Sequence, residues 1–562
     1  MTGRWRGQTL ANKQASSSGE KTAHRCIRFS SKVNSHRMPT EENPQTDTRR
    51  QDWLISAAVF AAVAVAAWWL WANRFFLSLD EGIYLSGAER ILRGQAPYRD
   101  FFVITGPGSF WIEAAILRVL GPTLRHARLA LVFDLALISA AVYWLMARLT
   151  GRYFALVATF TFFALETRPL FRLYANHRWD SSAFSLLAVL LVFVGTERPR
   201  FSTFIAAGMA AAAAAWITPS MLAVMVLLSF WLVMVRELRR QCIPFLLGIA
   251  SVSLLAGGVL FFQGALVPMF RDLLWTARHY PAANRVPYGY GAVAPGGLKA
   301  TLAGAHGANF IVGATGFLAV LLPALLPLLV YVGWMVRRLR RKEIDDREKL
   351  ATLLMLASFG FVISTYPRWS ADQLLFIAPI FYVLAGYLIS RIVKGRLGRT
   401  VAVACALALA VAAFSYSVLN VISEPVIETC IGRLRADPLD QSLIKLATSR
   451  ISPGDSLFVY PYLPIVYFLT GGRNPTSYSF LQPGMMQEPD YEKALEELRA
   501  RPPRWVFFFG LPPATYRGIW PAADPAALKP TLVDHFILSN YHPVGALQGS
   551  GTQFFLLERG TH

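Results

Sequence analysis

The stretch WLISAAVFAAVAVAAWWLWANRFFLSLDEG, residues 53–82, places a long apolar segment directly before two carboxylates. The segment from Trp53 to Ala72 is long enough to cross the ~30 Å hydrocarbon core of a bilayer, which needs roughly 20 residues. Asp80 and Glu81 follow where such a segment would leave the membrane. Charged groups so close to hydrocarbon are costly, and they usually have a function where they occur. The stretch therefore predicts a membrane enzyme with acidic groups at the membrane surface.

The composition of the whole chain excludes an ordinary soluble protein. Of its 562 residues, 54% are hydrophobic and only 16% are charged, and the mean hydropathy is +0.40. The formal net charge is +21, from 55 basic and 34 acidic residues. These basic residues form short clusters between apolar runs, as in loops that fix membrane topology, rather than one continuous basic face. We therefore expect anionic lipid headgroups, and not nucleic acid, as partners.

Apolar runs of spanning length recur along the chain and predict a mainly α, polytopic membrane helical bundle of about eleven transmembrane helices. The predicted spans are 53–72, 127–147, 152–168, 181–196, 202–217, 218–235, 243–263, 309–336, 350–366, 372–390 and 399–420.

The basic clusters predict which side each loop occupies. Arg49 and Arg50 precede the first span, so the positive-inside rule places them in the cytoplasm, and alternation then puts the cluster at 337–342 there too. Loops 73–126, 169–180 and 264–308, and everything after about residue 421, fall outside. We expect a multi-pass protein of the cell (inner) membrane whose acidic residues lie on the extracytoplasmic side, where any activated sugar or phosphate must arrive on a lipid.

The two ends of the chain differ from the bundle. Residues 1–52 are polar, basic and Ser-rich, which predicts a disordered tail, and Met38 offers an alternative start. The bundle is assigned to 53–423. Residues 424–562 predict a small extracytoplasmic α/β domain, with strands in SLFVY and in WVFFFG at 505–510, a helix from Tyr491 to Arg501, and further strands from TLVDHFILSNY (531–541) through GTQFFLLER (551–559).

A known family shares several of these features. Besides the acidic pair, the first outer loop carries Pro97, Tyr98 and Asp100 and then the turn Gly106-Pro107. The chain resembles the GT-C glycosyltransferases, and especially bacterial relatives of protein O-mannosyltransferases and aminoarabinose lipid A transferases. The resemblance covers roughly 53–420 in layout, with its motifs in 78–108, 172–180 and 366–379. It implies Asp80 as the general base of an inverting transfer and Tyr98 as a substrate contact.

Helix capping is the alternative role for the acidic pair. Ser78-Leu-Asp80-Glu81 matches a capping box, in which Ser78 caps the first turn and Glu81 returns to the Ser78 amide. The box accounts for Glu81 better than for Asp80. Only one of the two carboxylates is needed for chemistry, and a carboxylate can accept the proton of an attacking hydroxyl.

The second outer loop, RLYANHRWD at 172–180, supplies further candidates. Because the resembled family often has a second acid here, Asp180 is the candidate for orienting the acceptor or assisting the base. It is equally placed to be the N-cap of the following helix. His177 is a candidate substrate contact, although a lone histidine beside an aromatic is more often a structural hydrogen bonder.

Arginines are the candidates for binding a lipid phosphate, because the planar guanidinium pairs with phosphate oxygens and stays charged. Arg368 in the string YPRW (366–369) stands at the outer end of a span, but Ser370-Ala371-Asp372-Gln373 replaces the His-Tyr often found in the family. Interfacial snorkelling between anchoring aromatics is its alternative role. Arg278 and Arg285 lie in the third outer loop, which can either close over substrate or act as a solvated connector.

No Cys or His spacing indicates a metal site, so no cofactor is expected, although outer carboxylates could hold a divalent ion. The resemblance implies a membrane glycosyltransferase that moves a hexosyl or pentosyl group from a polyprenyl-phosphate carrier to an extracytoplasmic glycan, lipid or protein. The alternatives are a transporter or lipid flippase and a noncatalytic envelope scaffold. The glycosyltransferase hypothesis requires Asp80 and Asp180 to share a cavity with at least one of Arg278, Arg285 and Arg368.

Overall fold

The computed structural model describes residues 44–168, 173–292, 307–340, 346–393, 395–549 and 551–560. Most of the predicted tail lies outside these residues, but from Pro44 the chain is already helical. The helices of the first half are α1 (Pro44–Trp71), α2 (Glu81–Leu92), α3 (Gly108–Leu120), α4 (Leu124–Ala127), α5 (Leu129–Leu149), α6 (Arg152–Glu166), α7 (His177–Glu197), α8 (Phe201–Ile217), α9 (Leu222–Met234) and α10 (Cys242–Phe262).

The bundle continues to residue 423 and is followed by a region that mixes strands and helices. The remaining bundle helices are α11 (Leu266–Asn284), α12 (Ala308–Arg340), α13 (Asp346–Ser364), α14 (Ala371–Leu374), α15 (Ala378–Ile392) and α16 (Arg396–Ser423). The C-terminal region contains β1 (Val426–Thr429), β2 (Gly432–Arg435), α17 (Pro438–Thr448), β3 (Leu457–Tyr460), α18 (Ile465–Thr470), α19 (Glu488–Ala500), β4 (Trp505–Gly510), α20 (Pro513–Ile519), α21 (Leu532–Asn540), β5 (Tyr541–Gly549) and β6 (Thr552–Arg559).

Each of the eleven predicted spans coincides with helical structure. Among the described residues, seven stretches are long and apolar enough to cross a membrane: Arg50–Trp71, Leu124–Leu149, His177–Glu197, Arg236–Phe262, Asn309–Arg340, Ala371–Ile392 and Arg396–Ser423. The apolar helices Phe201–Ile217 and Pro219–Met234 are shorter. The chain is thus a multi-pass, mainly helical membrane protein, while the number of eleven crossings stays a prediction.

Ion pairs mark the end of the bundle where the basic clusters lie. Arg148, in the last turn of α5, pairs with Glu197 at 2.5 Å, and Arg152 pairs with Asp52 at 2.5 Å. Arg128 precedes the other end of α5, about 30 Å away at 1.5 Å per residue, and pairs there with Glu81. The segments around Asp52, Arg148 and Glu197 therefore lie at the opposite end of α5 from Glu81 and Arg128, while the side of the membrane that each end faces stays a prediction.

The third outer loop is not a flexible connector in its first part. Residues Leu266–Asn284 form α11, since Leu266, Met269, Leu273 and Tyr280 recur at helical spacing on one side. Residues 293–306 of the predicted loop lie outside the described residues.

The C-terminal region contains a four-stranded sheet in the order β3-β4-β6-β5 and a separate β1–β2 pair. Strands β3 and β4 are parallel, with Tyr460 opposite Phe508, whereas β6 runs antiparallel to both β4 and β5. The strands predicted in SLFVY, WVFFFG and GTQFFLLER are confirmed. The strand predicted from residue 531 is wrong, because Thr531 and Asp534 form a complete capping box that starts helix α21.

The C-terminal region and the first long loop share one hydrophobic core. Phe75, Leu85 and Phe110 from the loop belong to the same buried cluster as Leu463 and Phe507 from the C-terminal region. The backbones of α2 and α18 touch at Gly82, where an added Cβ would lie 1.8 Å from the backbone nitrogen of Ile465. Only glycine allows this approach, so α2 is held firmly against the C-terminal region.

Candidate active site

A cavity of about 380 Å³ lies between the helical bundle and the C-terminal region. Its wall includes the start of α2, the start of α7, the inner side of α11 and the segment before α14, together with three stretches of the C-terminal region. The polar residues that matter below are Asp80, Tyr84, His177, Arg178, Tyr280, Arg368 and Tyr462. The four loops predicted to lie outside therefore meet in one place.

Asp80 stands at this wall as the N-cap residue of α2, and its carboxylate is held from two sides. The Tyr462 hydroxyl donates to Oδ1 at 2.9 Å, and the Tyr174 hydroxyl donates to Oδ2 at 3.2 Å. Asp80 makes no side-chain capping bond to its own helix. Its oxygens are therefore oriented by phenols rather than used to start the helix.

Tyr462 and Tyr84, two phenols near Asp80, stay protonated at neutral pH. Burial, and then the Asp80 carboxylate, raise the pKa of Tyr462 and of Tyr84 well above the usual value for tyrosine. A protonated Tyr462 can only donate towards the carboxylate while Asp80 is ionised. The arrangement fixes Asp80 in an orientation that leaves it able to accept a further proton.

Two guanidinium groups face the same space. Arg178 donates to the backbone oxygen of Ser364 at 2.7 Å and lines the cavity, as does Arg368. Burial raises the pKa of Tyr280, while the charges of Arg368 and Arg178 lower it, so both arginines lie near the Tyr280 hydroxyl. Among the described residues, Arg368 has no carboxylate within ion-pair distance. The cavity thus combines two carboxylates, of Asp80 and Asp372, with two guanidinium groups, of Arg178 and Arg368.

Glu81 does not line the cavity. Its two carboxylate oxygens accept from Nε and Nη2 of Arg128 at 2.8 and 2.9 Å, and both side chains are completely buried. The Ala175 amide also donates to Oε1 at 3.1 Å. The predicted capping box is only half formed: the Glu81 amide donates to the Ser78 hydroxyl at 3.1 Å, but the Glu81 side chain bonds Arg128 instead of the Ser78 amide. No local pattern in the sequence indicated Arg128 as a partner of Glu81.

Asp180 lies outside the cavity lining as well. It sits buried in the first turn of α7 and accepts a hydrogen bond from the Ser109 hydroxyl of α3. The expectation that it caps this helix is wrong, because Asn176 is the N-cap and its side chain accepts from the Arg178 amide at 2.9 Å. The expected meeting of Asp80 and Asp180 in one cavity does not occur.

The remaining candidates divide between the cavity and its surroundings. His177 lines the cavity and packs against Tyr84, with ring centroids 5.3 Å apart. Arg278 and Arg285 are exposed and do not line it. Tyr98 is buried beside a different cavity, and its hydroxyl donates to the Thr105 carbonyl at 2.6 Å. Of the predicted site residues, the structure brings together Asp80, His177 and Arg368.

Several residues of the site were not predicted. Tyr174 and Arg178 belong to the string RLYANHRWD, so their neighbours had been selected but they had not. Tyr280 lies on α11, which was predicted to be part of a loop, although the helical spacing of its apolar residues indicates a side that packs against other segments. Tyr462 belongs to the C-terminal region, and no local pattern connects it with a residue nearly 400 positions earlier. Among the described residues, no group of three or more His, Cys, Asp and Glu side chains is arranged to hold a metal ion.

Solved structures share the fold of this multi-pass membrane protein. The crystal structure of ArnT from Cupriavidus metallidurans in the apo state superposes with a TM-score of 0.54 at 13% identity, covering 89% of this chain and 97% of ArnT. The structure of the same protein bound to undecaprenyl phosphate gives a TM-score of 0.53 at 12% identity, with the same coverage. ArnT is a GT-C superfamily glycosyltransferase. No protein-family model and no curated protein sequence matches the chain.

Proposed function

We propose that this chain is an integral membrane glycosyltransferase that takes a sugar from a polyprenyl-phosphate carrier and transfers it to an extracytoplasmic acceptor. The observation that carries the proposal is the shared cavity of Asp80, Arg178 and Arg368. A carboxylate and two guanidinium groups around one space match the needs of a reaction in which a hydroxyl loses a proton and a phosphate leaves.

The proposed reaction is a single displacement. The acceptor oxygen attacks the anomeric carbon, and its proton passes to the Asp80 carboxylate. The bond between the anomeric carbon and the phosphate oxygen breaks, and its electron pair leaves with the polyprenyl phosphate. The positive charges of Arg368 and Arg178 stabilise this leaving group, which therefore needs no acid to protonate it. Attack from the side opposite the leaving group inverts the anomeric configuration.

The structural neighbour supports the choice of donor. ArnT shares the fold over most of both chains, and one of its structures contains undecaprenyl phosphate. In this chain, the cavity lies against membrane-spanning helices, and apolar side chains such as Leu79, Ile83 and Leu273 share its wall with the charged groups. A lining of this kind suits a ligand with a polar head and a prenyl tail.

Transfer from a panel of radiolabelled polyprenyl-phosphate sugars in reconstituted membranes tests the proposal. We expect Asp80→Asn to lower the rate of transfer about 10²- to 10⁴-fold, as loss of a positioned base does. Asp100→Asn is a matched control, because Asp100 lies in the same loop but pairs with Arg99 away from the cavity. The anomeric configuration of the product, measured by NMR, should be inverted.

Two results would contradict the proposal. Full activity of Asp80→Asn would show that Asp80 is not the general base. Label that crosses the bilayer without forming a new glycosidic bond would instead support the lipid flippase.

A further inference from the structure

A second cavity, of about 350 Å³, lies in the C-terminal region at the carboxyl ends of the parallel strands β3 and β4. Tyr460 ends β3 and Gly510 ends β4, and the chain leaves them through Pro461 and Pro512. Ligands of open α/β sheets bind outside the carboxyl ends of the strands. The volume lies within the range of about 300–1,000 Å³ that is typical of small-ligand pockets. Position and size therefore both mark a ligand site.

The polar groups of this cavity suit a ligand with several hydroxyls. Asp534 Oδ2 accepts from the Tyr460 hydroxyl at 2.8 Å and from the backbone amide and the hydroxyl of Thr531, each at 2.7 Å. Among the described residues, none donates to Oδ1, which is therefore available to a ligand hydroxyl. Lys529 and Gln553 stand exposed at the rim and offer donors and an acceptor there.

Aromatic rings form the apolar part of the lining. Phe508 is half-buried, and its ring centroid lies 5.9 Å from that of Tyr460. The C–H face of a sugar ring packs on such a surface, while its hydroxyls need directional partners. The lining has one carboxylate and one ammonium group, from Asp534 and Lys529, and so lacks the excess positive charge that a phosphate or a nucleic acid requires. An uncharged saccharide fits this combination best.

The two cavities share a thin wall. The segments Pro461–Tyr462, Gln482–Pro483 and Tyr516–Trp520 each contribute one end to the second cavity and the other end to the first. The Tyr516 hydroxyl donates to the Pro483 carbonyl, which ties two of these segments together. A ligand in the second cavity would therefore lie next to Tyr462, which holds Asp80.

We propose that the second cavity binds an uncharged sugar unit of the acceptor, at a distance from the hydroxyl that reacts in the first cavity. The inference rests on the proposed function and names its acceptor as a saccharide-bearing molecule. It also assigns a role to the C-terminal region, which is to recognise the acceptor.

Binding to an array of neutral oligosaccharides that end in glucose, galactose, mannose or N-acetylglucosamine tests the inference. The full chain is reconstituted in phospholipid nanodiscs, because maltoside detergents carry the same class of ligand. We expect binding to at least one saccharide. The affinity for it should fall about three- to tenfold in Gln553→Ala and in Lys529→Ala, which corresponds to the loss of one hydrogen bond. Both residues are exposed, so folding should not be affected.

Gln548→Ala is the matched control, since Gln548 is exposed on β5 directly opposite Gln553 and does not line the cavity. Binding to no member of the array, or equal binding in Gln553→Ala and wild type, would overturn the inference. Asp80→Asn should bind saccharide normally, which separates the two proposals. Saccharide binding without any transfer would reject the proposed function, whereas transfer without saccharide binding would reject only the second site.

Where transfer is observed, kinetics add a second readout. The saccharide that binds should then act as acceptor, and Gln553→Ala should raise its KM about three- to tenfold without changing kcat or the KM of the donor. A change in kcat alone would contradict a role in acceptor binding.

Discussion

Asp80 and Glu81 are neighbours in the sequence, but they belong to two different regions of the molecule. Asp80 lies at the wall of the cavity of about 380 Å³ and accepts hydrogen bonds from two phenols, whereas Glu81 is buried in the core and forms a bidentate ion pair with Arg128. Successive residues of a helix point about 100° apart, so one turns towards the cavity and the other towards the start of α5. A carboxylate can therefore serve the site at one position and the fold at the next.

The comparison separates two uses of a carboxylate. A buried carboxylate needs a cation to compensate its charge, and that pairing consumes its hydrogen-bonding capacity. A carboxylate that must accept a proton needs donors that orient it without neutralising it. Tyrosines meet this second requirement, because a phenol donates one hydrogen bond and carries no charge.

Glu81→Gln should produce the largest effect, and on stability. It leaves Arg128 charged in the core without its partner, which costs about 3–5 kcal/mol. We expect a lower midpoint of thermal unfolding, measured in lipid nanodiscs. The adjacent Asp80→Asn should leave the free energy of unfolding within about 0.5 kcal/mol of wild type, with a nearly unchanged midpoint. Equal midpoints for the two variants would show that the two carboxylates do not differ in this way.

Arg368→Ala tests the cationic side of the cavity. A charge-assisted hydrogen bond to the leaving phosphate is worth about 1.5–3 kcal/mol, so we expect transfer to slow about 10- to 100-fold. Arg278→Ala is the control, because Arg278 is exposed and does not line the cavity. Arg368→Lys should recover part of the rate. If both alanine variants retain full activity, Arg368 is an interfacial anchor beside Tyr366 and Trp369.

The sequence predicted the bundle well because hydrophobic length alone identifies spanning helices. It also selected Asp80 and Arg368, which stand where loops meet the membrane and so carry a local signal. It could not assign Glu81 to Arg128 or Asp80 to Tyr462, since those contacts depend on how distant segments pack. The strand expected from residue 531 failed for a local reason, because the capping box at Thr531 and Asp534 was not recognised.

Asp440 extends the comparison to a buried carboxylate that forms no ion pair with any of the described residues. Burial, and then the neighbouring Asp437 carboxylate, raise the pKa of Asp440 to about 7. Between about pH 4 and pH 7, the Asp440 carboxyl therefore keeps its proton in the folded state. In the unfolded state, where its pKa is about 3.9, it has already released that proton. The stability from Asp440 is complete below about pH 4 and is lost as the pH rises to about 7.

We therefore expect the free energy of unfolding in wild type to fall by about 2 kcal/mol between pH 5 and pH 8 through Asp440. A tenfold change in proton affinity corresponds to about 1.4 kcal/mol, and residual solvation reduces the full value. Asp440→Asn should remove this part of the pH dependence, whereas Asp437→Asn, at the more exposed helix cap, should reduce it only slightly. Thermal unfolding at both pH values measures this change. The same loss of stability with pH in wild type and in Asp440→Asn would refute the assignment.

Tyr462→Phe should produce the smallest effect and is the most direct test of how Asp80 is held. It removes one hydrogen bond to Oδ1, while Tyr174 still donates to Oδ2. Loss of one such bond is worth about 0.5–1.5 kcal/mol, so we expect kcat to fall about three- to tenfold. The KM values should stay within about twofold of wild type, because the change affects only how the base is oriented. Tyr467→Phe is the control, since Tyr467 is buried in the same region but its hydroxyl accepts from the Val459 amide away from the cavity. A raised KM with an unchanged kcat would mean that Tyr462 contributes to substrate binding and does not hold the Asp80 carboxylate for catalysis.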